Sequence, residues 1–134
     1  METFRFELVS PDNLVKDMSA EMVIVPGTDG DFGVLPGHSA MMSTIRPGIV
    51  EIFETEAGDA ERLFVKGGLA QVTPTGLTIL AEETIHLSDV DIDELAADLT
   101  AARGSVEAAT DDVDKARAER ELVWMEALSE IMSH

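Results

Sequence analysis

In residues 1–87 short apolar runs are cut by turn residues about every ten positions, a rhythm that restricts this part of the chain to a β-sandwich or barrel. Phe4, Phe6 and Leu8 alternate with Arg5 and Glu7, the period of a strand with one buried face. Met22-Val23-Ile24-Val25 stops at Pro26-Gly27, Phe32 to Leu35 at Pro36-Gly37, Met41 to Ile45 at Pro47-Gly48, and Ile49 to Thr55 near Gly58-Asp59. Leu63-Phe64-Val65 meets Gly67-Gly68, Leu69 to Val72 meets Pro74 to Gly76, and Leu77 to Leu80 follows. No helical period holds for three turns in this half.

At Ser88 the pattern changes. From there to residue 134 there is no proline and one glycine, and Ala, Glu, Asp and Leu dominate. Ile92, Leu95, Ala96, Leu99 and Ala102 recur at helical spacing, with Asp91 placed to cap and Glu94 three residues on. Gly104 after Arg103 predicts a left-handed stop, with Val106, Ala108 and Ala109 in a connector. A second helix is expected from near Thr110, with Asp111 and Asp112 in its first turn, where the helix dipole favours anions. Its apolar positions are Val113, Ala116, Leu122, Met125, Leu128 and Met132, with Trp124 and Ile131 alongside. The expected architecture is mainly β with an α appendage: residues 1–87 form a sandwich, and residues 88–134 form an antiparallel two-helix hairpin.

Charge excludes several partners. The chain has 9 basic and 27 acidic residues, a net charge of −18. The halves share it equally: five basic against fourteen acidic residues before Ser88, four against thirteen from Ser88 on. A polyanion is repelled by phosphate backbones and anionic headgroups, so no nucleic acid and no direct lipid insertion are expected. With no cysteine, disulfides, thiolate metal sites and Cys nucleophiles are excluded together. Residues 1–10 lack the apolar core of a signal peptide, and no apolar run approaches a bilayer span, so a soluble chain is expected.

Catalytic constellations are sparse. His38, His86 and His134 are far apart in sequence, and adjacency of His38 and Ser39 does not make a nucleophile–base pair. The segment from Gly27 to Gly33 has a glycine at every third position but is not a dinucleotide fingerprint, because a strand and not a helix follows it. Asp29 and Asp31 lack the remaining ligands of a calcium loop. Asp111, Asp112 and Asp114 read as an acidic first helical turn before they read as metal ligands. Glu82 and Glu83 point to opposite faces of a strand. Met41-Met42 is expected in the core. No catalytic residue, metal or cofactor is expected.

The run Gly30-Asp31-Phe32-Gly33-Val34-Leu35-Pro36-Gly37-His38-Ser39-Ala40, continued by Arg46-Pro47-Gly48, resembles the signature G-x-x-G-[IVL]-L-P-G-H followed by [KR]-P-G. That signature marks the epsilon-subunit family of rotary ATP synthases. Phe4 to Ser10, Val65-Lys66-Gly67-Gly68 and Leu77-Thr78-Ile79-Leu80-Ala81 resemble the family's opening strand, its glycine bend and the strand before its hairpin. The resemblance spans the chain in order.

It implies a flattened sandwich of about ten strands with a helical hairpin. It also implies a non-catalytic rotor subunit of the central stalk, held between the gamma shaft and the polar loops of the c-ring. Such a subunit passes torque from proton flow to the catalytic head and lies peripherally on the cytoplasmic face of a bacterial inner membrane. By the same resemblance Gly30, Asp31, Phe32, Gly33 and His38 face the c-ring or gamma, with Asp31 in a charge-assisted contact to the ring. The glycines are expected in tight turns. The hairpin of the family can reach alpha and beta and block hydrolysis, and in some members it binds ATP through [IL]-D-x-x-R-A. Here Ile92 and Asp93 match but Ala96 replaces the arginine, so no nucleotide site is expected and inhibition should be weak. A second reading, from another class, is a free-standing nucleotide-sensing module.

Overall fold

A computed structural model describes residues 2–11, 13–55 and 57–133; the terminal His134 of the sequence reading lies outside them. Two compact units are present, Met1–His86 and Leu87–His134.

Among its described residues the first unit holds ten strands: β1 (Phe4–Ser10), β2 (Asn13–Ala20), β3 (Met22–Gly27), β4 (Gly30–Val34), β5 (Met41–Ile45), β6 (Gly48–Phe53), β7 (Glu61–Val65), β8 (Gly68–Thr73), β9 (Gly76–Ala81) and β10 (Thr84–His86). Their pairing runs β10-β7-β6-β3-β5-β8-β9-β1-β2, with β4 added on β3. The sandwich turns its corner at β3. Met22 to Ile24 pair with β6, whereas Gly27 pairs with Ile45 of β5. Among the described residues the pairings are antiparallel except β1 with β9, where Leu8 sits opposite Ile79.

Alternation places the core. Phe4, Phe6 and Leu8 of β1, Val23 and Val25 of β3, Val50 and Ile52 of β6 and Leu77 and Ile79 of β9 are buried, while Arg5 is exposed. Burying each such side chain contributes about 1.5–3 kcal/mol before entropy is subtracted. Strand β2 carries no clean alternation and owes its place to β1. Arg5 donates through Nε and Nη2 to both carboxylate oxygens of Asp17, at 3.1 and 3.0 Å. That hydrogen bond, then the charges of Asp17 and Glu7, raises the Arg5 pKa from its usual value.

Strand β8 begins at a bend. Gly67 and Gly68 adopt φ of +134° and +152°. A Cβ on Gly68 would run into the Leu80 carbonyl of β9, which approaches because Gly68 pairs with Ala81. Only glycine fits there.

The second unit is a short 3-10 turn, Leu87–Asp89, and helices α1 (Ile92–Ala108) and α2 (Asp112–Met132). Asp91 caps α1 by accepting from the Asp93 and Glu94 amides, and Asp111 caps α2 by accepting from the Asp114 amide at 2.7 Å. The left-handed stop expected at Gly104 does not occur. Helix α1 runs through Gly104 and on past Val106 to Ala108, ending where the Ala109 amide bonds Ser105 O. Gly104 does not take a positive φ and stays inside the helix, which completes another turn beyond it. Leu95, Leu99 and Ala102 of α1 and Leu128 of α2 are buried, whereas Ile92, Val113 and Ala116 are exposed. Helical spacing marks a face, but the ends of that face reach past what it covers.

Candidate functional site

Strands β3 and β4 form a hairpin whose two-residue turn, Thr28-Asp29, joins the paired Gly27 and Gly30. This tip carries the front of the glycine-rich signature. Asp31 is the second residue of β4, opposite Pro26, with its side chain 59% exposed. Phe32 is half-buried and packs on the core, with its ring beside Gly27. Gly33 does not make a tight turn: it lies inside β4 opposite Ile24, and its φ is not positive. A Cβ there would meet nothing. Gly33→Ala is therefore expected to melt no lower than the parent chain, and to gain up to about 1 kcal/mol from a less flexible unfolded state; thermal unfolding followed by circular dichroism checks this. His38 follows the turn at Gly37, and its Nδ1 lies 2.8 Å from the Ser39 carbonyl oxygen. The ring thus engages main chain and not the Ser39 hydroxyl, as a nucleophile–base pair would require.

The tip is fixed by a residue the sequence reading did not connect to it. Arg46, fifteen positions on, donates through Nη2 to Asp31 Oδ1 at 2.5 Å and through Nη1 to the Gly27 carbonyl at 2.6 Å. Its own amide donates to Pro26 O at 3.0 Å. The Thr28 amide bonds Thr44 O at 3.1 Å, and the two threonine hydroxyls lie 2.8 Å apart. The basic residue of the R-P-G triplet and the acidic residue of the glycine run were both visible in the sequence, but no local spacing joins them.

Beside the tip lies an apolar row. Across β2, β1, β9, β8 and β5 the register sets Leu14, Val9, Leu80, Leu69 and Thr44 side by side. Leu14 and Leu80 are 57% and 48% exposed. Met42 stands on the same strand face as Thr44 and is 62% exposed, so the core placement expected for Met41-Met42 is wrong: Met41 too is exposed. Only Ile45 of β5 is buried, because β5 has one covered face and Met42 is on the other. The row ends at Thr44, the residue that touches the tip.

The hairpin offers a groove of about 610 Å³ between α1 and α2, lined by alanines together with Asp98, Ser105, Asp114, Arg117, Glu121 and Met125. Three carboxylates face one guanidinium, and Arg117 lies 3.9 Å from Asp114. Arg103 is drawn to Glu126 at 3.9 Å. Ile92, Asp93 and Ala96 lie exposed in the first turns of α1. Among the described residues no cluster of three or more His, Asp and Glu is placed to hold a metal, and no helix is long and apolar enough to cross a membrane.

Residues 3–87 match the family model described as the ATP synthase delta/epsilon chain β-sandwich domain. The ATP synthase epsilon chain of Maricaulis maris is 42% identical over 99% of this chain and 98% of its own length. That of Rhodospirillum rubrum is 42% identical over 95% and 94%. Among solved structures, a chain of the Euglena gracilis mitochondrial ATP synthase, seen with OSCP, F1 and the c-ring, superposes with a TM-score of 0.82 at 26% identity, covering 98% of this chain and 82% of that one. A chain from the central stalk and c-ring of the Tetrahymena thermophila mitochondrial enzyme shares the fold, with a TM-score of 0.70 at 12% identity over 97% and 96%.

Proposed function

Because this chain belongs to the family of ATP synthase delta/epsilon chains, we propose that it is the central-stalk rotor subunit of a proton-translocating ATP synthase, coupling c-ring rotation through gamma to ATP synthesis in the catalytic head. The observation that carries the mechanism is the pinned β3–β4 tip standing at the end of an exposed apolar row. A part that transmits torque needs one broad, permanent attachment and one stiff polar contact. The row through Leu14, Val9, Leu80 and Leu69, with Met42, supplies apolar area of the kind that stable subunit contacts cover. It is the surface for gamma. The tip, with Gly30, Asp31, Phe32 and Gly33, is the contact to the polar c-ring loops, and His38 lies away from the turn, beyond β4 and past Gly37, whose amide bonds Pro74 O.

The chain is a non-catalytic member of the complex, held peripherally at the cytoplasmic face of the bacterial inner membrane by these partners. Its site requires no cofactor. The groove in the hairpin disfavours the nucleotide-sensing alternative, since its carboxylates oppose a triphosphate. The hairpin can still reach alpha and beta, but Lys115, Arg117 and Arg120 are the only cations of α2, and acidic residues surround them. Deleting residues 89–134 in the assembled enzyme is accordingly expected to raise ATP hydrolysis by less than about twofold, because exposed cations among carboxylates are screened. A several-fold rise in the ATPase assay contradicts this. The assignment itself is tested by retention of gamma on the immobilised full chain. Gamma passing through unretained at micromolar concentration would sink it.

A further inference from the structure

We propose that Arg46 is the positioning residue of the tip: it holds one carboxylate oxygen of Asp31 on the fold and leaves the other turned outward for a cation of the docking partner. The inference rests on the docking role given above and adds an internal device to it. Arg46 Nη2 takes Asp31 Oδ1 while Nη1 takes the Gly27 carbonyl, so one planar group grips β3 and β4 across their turn. A guanidinium fork meets both acceptors at once; an ammonium is a single point and meets them less rigidly. The backbone helps: the Arg46 amide is bonded to Pro26 O, and Gly48 lets the turn approach until a Cβ would lie 2.9 Å from the Pro26 Cβ.

Among the described residues no other basic side chain bonds Asp31, and its Oδ2 has no hydrogen-bond partner. Its carboxylate is thus pre-ordered and half used. Ordering a side chain before docking spares entropy at the moment of docking. It also sets what the partner reads. With Arg46 paired to Asp31 the couple is neutral, so long-range attraction is small, and recognition falls to the fixed direction of one oxygen.

The test uses the full chain in two measurements: exchange of the Thr28 amide in the free protein, and affinity for ATP synthase stripped of this subunit. Arg46→Gln is expected to speed Thr28 exchange about tenfold and to weaken binding about fivefold, the scale of losing one partly exposed charge-assisted bond. Arg46→Lys should fall between parent and Arg46→Gln in both. The exchanged pair Asp31→Arg with Arg46→Asp should slow Thr28 exchange again in part, since the ion pair is restored in reverse while the Gly27 carbonyl loses its donor, yet bind no better than Arg46→Gln. Recovery of parental affinity by the exchanged pair would overturn the inference, because the outward group would then not be what the partner reads. Unchanged exchange and affinity in Arg46→Gln would overturn it as well. A parent chain that fails to bind the stripped complex would refute the docking role, whereas the exchange measurement judges the grip of Arg46 by itself.

Discussion

An Asp31→Arg chain is expected to fold and to enter the complex, and the complex to make ATP at no more than about a tenth of the parental rate for the same proton gradient, the equivalent of losing one charge-assisted contact and gaining a repulsion. Two effects combine. The new guanidinium faces Arg46, which now has a like charge where it had its partner. The carboxylate oxygen proposed to meet a cation of the docking partner is also replaced by a cation, which that proposed contact would repel. Neither effect reaches the core: the Asp31 side chain is 59% exposed, and exposed ion pairs contribute about 0–1 kcal/mol to stability. The loss should therefore show in coupling and not in the melting curve. Proton pumping by reconstituted enzyme is the measurement. Pumping at the parental rate would remove Asp31 from the coupling contact.

Gly68→Ala should act differently, striking the fold and, with it, the Leu69–Leu80 part of the apolar row. At φ +152° an L-residue carries strain of about 1–3 kcal/mol. The added methyl also overlaps the Leu80 carbonyl, so β8 and β9 must part at the Gly68–Ala81 pair or at the adjoining Leu69–Leu80 pair. A total loss of about 3–5 kcal/mol is expected, which for a sandwich of this size lowers Tm by at least about 12 °C. Thermal unfolding by circular dichroism decides it, and a shift under about 3 °C would mean that the bend relaxes without strain. Set beside Gly33→Ala, the variant separates two uses of glycine. At Gly68 the fold itself has no room, while at Gly33 the chain leaves open space.

What was legible in the sequence follows from how local each determinant is. Strands β1, β3, β5 and β9 were readable because alternation and Pro-Gly stops sit inside a few residues. The cap Asp91 was readable for the same reason, whereas Asp111, expected within the first turn of α2, caps that helix instead. Strand β2 was not, because Lys16 and Asp17 interrupt its alternation, and its register depends on Arg5 in another strand. Met42 was misread because an apolar residue in a strand declares burial without declaring which sheet face is covered. Gly104 was misread because a glycine inside a helix and one ending a helix look alike until the following residues are placed. The signature drew attention to Gly30 to His38, yet the Arg46–Asp31 pair that shapes the tip joins two motifs across a sheet corner.

The parallel pairing of β1 with β9 has a consequence for birth of the molecule. Leu8 finds its neighbour in Ile79, and Phe6 in Leu77, so the first strand to leave the ribosome must wait for almost the last strand of its sheet. Closure over so long a stretch of chain is slow and leaves the apolar side of β1 without its β9 neighbour meanwhile. Only the hairpin with β2, tied by Arg5 and Asp17, shelters β1 during that interval. A nascent chain arrested before residue 76 should therefore be sticky and protease-sensitive, and one released just beyond residue 86 should already have its sandwich shut.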